Sequence, residues 1–126
     1  FYNMKYYGPL YKKEKNNFFR KVDFFIFLSE YVNESEPLAL LEALSYGCIP
    51  IVFNIGSIKD LVCNEKLIVE NSESTCHQID NLISSISRKN EIATFSVESY
   101  NHFLNLRKKY QSNLKLFIDQ VKEKSI

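Results

Sequence analysis

The sequence predicts an α/β fold, in which a small parallel sheet carries flanking helices and a long helical segment follows. Short apolar runs alternate with stretches of helical periodicity up to about residue 88, which is typical of parallel sheets covered on both faces. Beyond residue 91, apolar residues recur at helical spacing without a further strand pattern. The 126 residues fit one domain, with an α/β part at 1–90 and C-terminal helices at 91–126.

The few glycines and prolines, three of each, mark where the elements begin and end. Pro37 suits the first residue of a helix, and Gly47 suits the left-handed position after its end. The strand at 22–28 is nearly all apolar, so we expect it to be buried on both faces. Strands are predicted at 3–7, 22–28, 49–53 and 66–69, and helices at 11–21, 37–46, 57–62, 73–88 and 92–124, the last with a break near 110–112.

Composition excludes several classes of protein. A net charge of +1, from 16 basic and 15 acidic residues, is too small for a domain that binds nucleic acid by neutralising phosphates. No apolar window is long enough to span a membrane. The chain starts without Met and without a signal-peptide pattern, so we expect a piece of a longer protein.

The cysteines favour reduced thiols over a metal site. Cys48, Cys63 and Cys76 are scattered and odd in number, which favours a cytoplasmic location and lacks the spacing of a zinc site. The basic stretch at 12–15 is expected to be a solvated helix face. The alternative is a weak attraction to an anionic membrane, which would place the protein at the inner face of that membrane.

Glu42 is the most informative residue for function. Apolar residues at 38–41 and 43–44 surround it, so we expect a buried carboxylate that needs a partner. Three explanations remain open: a buried pair with Lys or Arg, a position on the one solvated stripe of the helix, or hydrogen bonds from a ligand's hydroxyls, as in dinucleotide sites. A cation partner, or full exposure away from the sheet's carboxyl edge, would remove the physical argument for a ligand.

The start of the same helix favours an anionic ligand. The helix follows the strand at 22–28, so its free N–H groups and positive dipole end lie where open parallel sheets bind ligands. Glu42 lies about 7–8 Å along the axis from Pro37, close to the pyrophosphate-to-ribose distance of a nucleotide. Glu34 lies in the loop before the helix, where it could meet a sugar beyond the phosphates. For Glu34 and Glu36 the alternative is a carboxylate that only complements the helix dipole.

Three blocks of the sequence match known motifs in order. Glu34 and Glu42 form a Glu-x7-Glu pair of the pattern E-x7-E-A-M-A-x-G-x-P-V-I, which 43–52 continue. Residues 8–29 resemble G-x-V … K … F-F … A-D-V-F-V-x-P-S, and 54–62 resemble D-x-G-G-I-P-E-I-V. Over about residues 5–70 the chain therefore resembles the retaining glycosyltransferases of group 1, or family 4, which have the GT-B fold. Glu36 replaces the Phe of many relatives, and a single Gly56 stands where two glycines are common.

The resemblance implies a Rossmann-like donor-binding half of a two-domain hexosyltransferase, such as those of polysaccharide biosynthesis. Such enzymes transfer a sugar from a UDP- or GDP-linked donor with retention, usually without a metal or other cofactor. By this resemblance Glu34 would be the catalytic residue beside the donor sugar, and Glu42 would hold the ribose hydroxyls. The remaining donor-binding positions implied are Pro9 and Leu10, near the base, and Ser35, Glu36, Pro37 and Leu38, facing the sugar and diphosphate.

The resemblance also implies missing parts. The N-terminal acceptor domain, the first strand and helix of the donor domain and the basic pair for the diphosphate are not in this sequence. Lys15, Lys59 and Lys66 are not in the places of that pair. Charge-assisted contacts dominate diphosphate binding, so we expect this chain to be inactive alone. The alternative function is a non-catalytic, truncated binding module. A phosphoacceptor receiver domain lacks its acidic and Lys pattern here, and another GT-B enzyme, such as a sugar-nucleotide epimerase, shares the fold.

The C-terminal helical segment carries an apolar face with two interpretations. The face is formed by Tyr100, Phe103, Leu104, Tyr110, Leu114, Phe117, Ile118 and Val121. It either packs on the sheet or is left apolar for the missing half. In the second case an exposed patch would favour self-association.

Overall fold

The computed structural model describes residues 3–31 and 37–124, and within these ranges it confirms the α/β fold class. The sheet contains three strands, and a long helix follows. The elements are α1 (Lys12–Arg20), β1 (Phe24–Phe27), α2 (Leu38–Ser45), β2 (Ile49–Phe53), β3 (Ile68–Val69), α3 (Thr75–Arg88) and α4 (Ile92–Lys124), with short 3-10 helices at Ile58–Leu61 and Glu65–Leu67.

The sheet is parallel with β2 in the centre. Phe24 of β1 lies beside Ile49 of β2, and Val52 of β2 lies beside Ile68 of β3. Every residue of β2 is buried, because it has a strand on each side and helices over both faces. Leu40 and Leu44 of α2 pack with Val52 on one face, whereas α3 packs on Ile51, Phe53 and Val69 on the other.

The prediction that residues 22–28 are buried on both faces is wrong. Among the described residues β1 pairs only with β2, so it is an edge strand. On the α3 side, Ile26 is 46% exposed and Leu28 is also exposed, because α3 covers β2 and β3 instead. The apolar run was read correctly as a strand, but its composition did not reveal that one face is open.

The strand predicted at 3–7 is not formed, and the predicted four-stranded sheet has three strands in the described residues. Within this segment the Tyr7 ring lies edge-on to Phe18 of α1, at 5.2 Å between centroids, whereas Met4 and Tyr6 are exposed. Aromatic residues favour strands, but without a strand partner the Tyr7 ring packs on a helix. The helix predicted at 57–62 is the short 3-10 turn at Ile58–Leu61.

The two ends of α2 agree with the prediction to within one residue. Pro37 was predicted as the first helical residue and is the N-cap, one position earlier. Gly47 has the predicted left-handed conformation after the helix, with a φ of +74°. The predicted break in the C-terminal segment is wrong, because α4 is continuous over 33 residues. Phe95 is buried, and Phe103 and Leu106 pack against the core, whereas every residue from Arg107 to Lys124 is exposed. Core packing therefore explains the first half of α4 and not the second.

Candidate functional site

The carboxyl edge of the sheet is the first place to look for a ligand, since open α/β sheets bind there. A helix that follows a parallel strand runs back beside it, so α2 begins at this edge. Its N-cap, Pro37, has no side-chain group to cap the helix, and Leu38 in the first turn is largely exposed. In this first turn Leu38 and Ala39 are exposed whereas Pro37 and Leu40 are buried, so one side of the helix start is open to solvent.

Helix α1 lies beside α2 on the same face of the sheet. Phe19 of α1, Ala43 of α2 and Cys48 form one buried cluster. The Cys48 thiol donates to the carbonyl of Phe19 at 3.6 Å, which holds the end of α1 beside the start of β2. The N-terminal halves of both helices consequently point towards the carboxyl edge.

An ion pair joins the two helices between Glu42, the fifth of the eight residues of α2, and Lys15, in the first half of α1. The Lys15 Nζ lies 3.2 Å from Oε1 and 3.1 Å from Oε2 of Glu42. Both side chains are partly open to solvent, with 38% of Lys15 and 41% of Glu42 exposed. The pair is thus accessible to a ligand from solvent.

The expectation of a buried carboxylate at Glu42 is wrong. Helix α2 buries Leu40, Ala43 and Leu44, while Leu38 points outward, so the helix has one covered face. An apolar sequence can leave such residues exposed where a partner element is absent. Glu42 has a cation partner and lies on the half-exposed side of the helix. Its surroundings alone therefore give no physical argument for a ligand. The observed arrangement combines parts of the first two explanations, since Glu42 has a cation partner but the pair is half-exposed and not buried.

The other predicted site residues are only partly brought together. Pro9 is exposed, and Leu10 lines a cavity of about 380 Å³ with Tyr7 and Phe18. That cavity does not include Glu42, Pro37 or Leu38. Glu34, Ser35 and Glu36 lie outside the described residues, so their roles stay predictions.

A second cavity at the carboxyl edge was missed by the sequence reasoning. It is open, has a volume of about 580 Å³ and is lined at the strand ends by Phe53 and Val69. The polar residues that line it are Asn54, Lys59, Glu65, Glu70 and Asn71. The signal in the sequence was a polar residue directly after two of the three strands, Asn54 after β2 and Glu70 after β3. Because parallel strands end at one edge, such residues converge there.

A hydrogen bond spans the same edge. The Asn71 Nδ2 donates to Glu30 Oε1 at 2.9 Å, which joins the loop after β1 to the loop after β3. Since β2 lies between these strands, the contact passes across its carboxyl end. The segment immediately before the undescribed residues is therefore held near the cavity of Asn54 and Glu70.

In 3–31 and 37–124, no group of three His, Cys, Asp or Glu side chains is placed to hold a metal ion. Over the same ranges, no helix combines the length and apolar character needed to cross a membrane.

The described fold is a parallel α/β domain with a partly exposed start of α2, a half-exposed ion pair on the same helix and a polar cavity at the carboxyl edge, where such domains bind ligands. The family model for glycosyl transferases group 1 matches residues 2–96. This match covers three quarters of the chain, and the chain belongs to that family. Searches of curated proteins and of solved structures returned no match.

Proposed function

We propose that this chain is the nucleotide-sugar-binding half of a group 1 glycosyltransferase of the retaining, hexosyl-transferring kind, with a UDP- or GDP-linked donor. The observation that carries the proposal is the coincidence of two facts. The family match spans residues 2–96 and thus nearly all of the α/β part, and the second Glu of the family signature lies on an accessible side of α2, one turn from the exposed Leu38.

In this proposal the donor lies along the carboxyl edge. The diphosphate meets the first amides of α2, and the ribose hydroxyls donate to the carboxylate of Glu42. The open cavity lined by Asn54 and Glu70 has the volume of a small-molecule site and would take another part of the donor. Glu34 would contact the donor sugar, as the resemblance implies.

Lys15 has a defined part in the same proposal. In the absence of a ligand its ammonium satisfies Glu42. An exposed ion pair contributes about 0–1 kcal/mol, so the hydroxyls of a ribose can replace or share this contact at small cost. The ammonium is then released beside the diphosphate. No metal or cofactor is required by this arrangement.

The test is an NMR titration of the protein with UDP, GDP and ADP and with their deoxy counterparts that lack the ribose 2′-hydroxyl. The wild type should bind the ribonucleotide more tightly. Glu42→Gln should lose most of that preference, which corresponds to about 1–3 kcal/mol for hydrogen bonds to a charged group. Glu14→Gln, an exposed carboxylate next to Lys15 on α1, is the matched control and should keep the preference.

Two further variants separate binding from folding. Lys15→Met should change the free energy of unfolding by less than about 1 kcal/mol and should keep the preference for the ribose hydroxyl. It should weaken the binding of nucleoside diphosphates more than the binding of nucleosides. Equal discrimination by the wild type and Glu42→Gln would remove Glu42 from the site. Absence of binding by all three nucleotides would overturn the donor-site proposal.

We also propose that the chain alone does not turn over donor, because its sequence lacks the basic pair that the family resemblance places at the diphosphate. A turnover assay with UDP-, GDP- and ADP-sugars should show neither transfer nor hydrolysis above a protein-free control. Product formed by the isolated chain would contradict this. The alternative function, a non-catalytic binding module, predicts the same silence in turnover but no ribose discrimination.

A further inference from the structure

The second half of α4 is a basic amphipathic helix that the proposed function does not use. All residues from Arg107 to Lys124 are exposed, a length of about 27 Å at 1.5 Å per residue. Six large apolar side chains on this segment are between 43% and 62% exposed. Apart from Leu116, they are Tyr110, Leu114, Phe117, Ile118 and Val121.

These five side chains form one stripe. At 100° per residue, the spacing of 110, 114, 117, 118 and 121 places them within an arc of about 100°. Leu116 is 61% exposed, but its position falls on the far side of the helix, roughly 140° from the centre of the stripe. Apolar side chains in water on one face of a helix favour contact with an apolar phase.

The charges are arranged around this stripe. Lys122 lies about 40° and Lys115 about 60° beyond one edge of the stripe, and Lys124 lies about 20° beyond the other, whereas Asp119 and Glu123 lie on the opposite side of the helix. Lysines at a stripe border can extend their ammonium groups to the headgroup level of a membrane while their stems stay on apolar surface. Acidic residues on the far side remain in water.

Charge is also distributed unevenly along the chain. The segment from Arg107 to Lys124 has six basic and two acidic residues, whereas the rest of the chain has ten basic and thirteen acidic residues. A net charge of +4 is thus concentrated on the exposed half-helix of an otherwise acidic chain. This is charge complementarity for an anionic surface, and it opposes pairing with a second copy of the same helix.

We propose that residues 107–124 of α4 bind the surface of an anionic lipid bilayer, with the helix parallel to the membrane and the stripe of Tyr110, Leu114, Phe117, Ile118 and Val121 at the headgroup boundary. A helix of this composition lies in the interface and does not cross it. The lysines add electrostatic attraction to acidic headgroups. Binding of α4 to the membrane would hold the carboxyl edge of the sheet near the bilayer.

The test is flotation of the whole 126-residue chain with vesicles of phosphatidylcholine alone or mixed with phosphatidylglycerol. Binding should occur with the mixed vesicles and fall at least tenfold when salt rises from about 0.1 M to about 1 M, where the Debye length drops from about 10 to about 3 Å. Leu114→Gln/Phe117→Gln should reduce the partition coefficient at least tenfold. Leu116→Gln, equally exposed on the far side, should change it less than threefold.

Charge-reversal variants test which lysines attract the protein to the anionic vesicles. Lys115→Glu/Lys122→Glu should reduce binding at least tenfold, since each lysine near an anionic surface contributes about fivefold. Lys12→Glu/Lys13→Glu, the same change of net charge on α1, should leave binding within threefold. Circular dichroism and thermal unfolding check that all variants fold, because none of these side chains is buried.

Three results would overturn the proposal. One is no binding of the wild type to the mixed vesicles. Another is loss of binding with the α1 variant but not with Lys115→Glu/Lys122→Glu. The third is a wild-type dimer in light scattering that Leu114→Gln/Phe117→Gln makes monomeric, together with equal flotation by both proteins, which would assign the stripe to self-association.

Discussion

Replacing Gly47 with Ala tests the junction that joins α2 to β2 and to α4. Gly47 has a φ of +74°, a conformation that costs an L-residue about 1–2 kcal/mol. A Cβ at this position would lie 2.9 Å from the Ser96 Oγ. That hydroxyl donates to the carbonyl of Gly47 at 2.7 Å, so moving it away also removes a hydrogen bond worth about 0.5–1.5 kcal/mol.

Together these effects are partly offset by the lower entropy of the unfolded alanine chain, about 0.4–1 kcal/mol. The expected loss is therefore about 1–3 kcal/mol in the free energy of unfolding, measured by urea denaturation. Gly8→Ala is the matched control, because Gly8 also has a positive φ of 67° but its Cβ would be 3.9 Å from the nearest atom. Ser96→Ala in the Gly47→Ala background should recover the part due to the steric contact. A loss below that of Gly8→Ala, or no recovery, would refute this account.

Two other predictions concern the core. Burial, with a smaller contribution from Asp23, raises the pKa of the Cys48 thiol to about 11, so near pH 8 a thiol reagent should label exposed Cys76 and leave Cys48 unmodified until the protein unfolds. The unfolded thiol, with a pKa near 9.0, loses its proton first, so stability should fall between about pH 9 and 11 more steeply in the wild type than in Cys48→Ala. Leu44→Ala should cost about 2–5 kcal/mol, because Leu44 is fully buried, whereas Leu116→Ala should stay within about 0.5 kcal/mol.

The order of elements could be read from the sequence because local signals fixed it. Pro37 and Gly47 bracket α2 at the expected ends, and β2 coincides with its apolar run at 49–53. Such signals depend on backbone conformation and burial of single residues. They do not depend on which other elements are present.

The exposed faces could not be read in the same way. Composition predicted that residues 22–28 and α2 are covered on all sides, but Ile26 and Leu38 are exposed. Coverage depends on the tertiary neighbours of an element, and an apolar run contains no information about whether a neighbour is present. The strand predicted at 3–7 failed for a related reason, since a strand requires a hydrogen-bonding partner whereas the Tyr7 ring could pack on α1 without one.

The candidate site was also predicted only in part. Sequence spacing placed Glu42 about one turn into the helix that follows Pro37, and Glu42 is the fifth residue of α2; its role in a site stays a prediction. Sequence spacing did not pair Glu42 with Lys15, which lies 27 residues away and becomes a neighbour only through the packing of Phe19 against Ala43. The cavity at Asn54 and Glu70 was visible in principle, since polar residues after parallel strands converge.

The exposure of the Lys15–Glu42 pair bears directly on the proposed function. A fully buried pair would cost about 3–5 kcal/mol to break, because the charge left behind would be unsatisfied in a low-dielectric interior. A pair with roughly two fifths of each side chain in water costs at most about 1 kcal/mol to open. Hydroxyls of an incoming ribose could exchange with the ammonium without disturbing the core of Leu40 and Leu44. The partial exposure of Glu42 means that burial is no evidence for a ligand. The same exposure leaves its carboxylate within reach of a ligand from solvent.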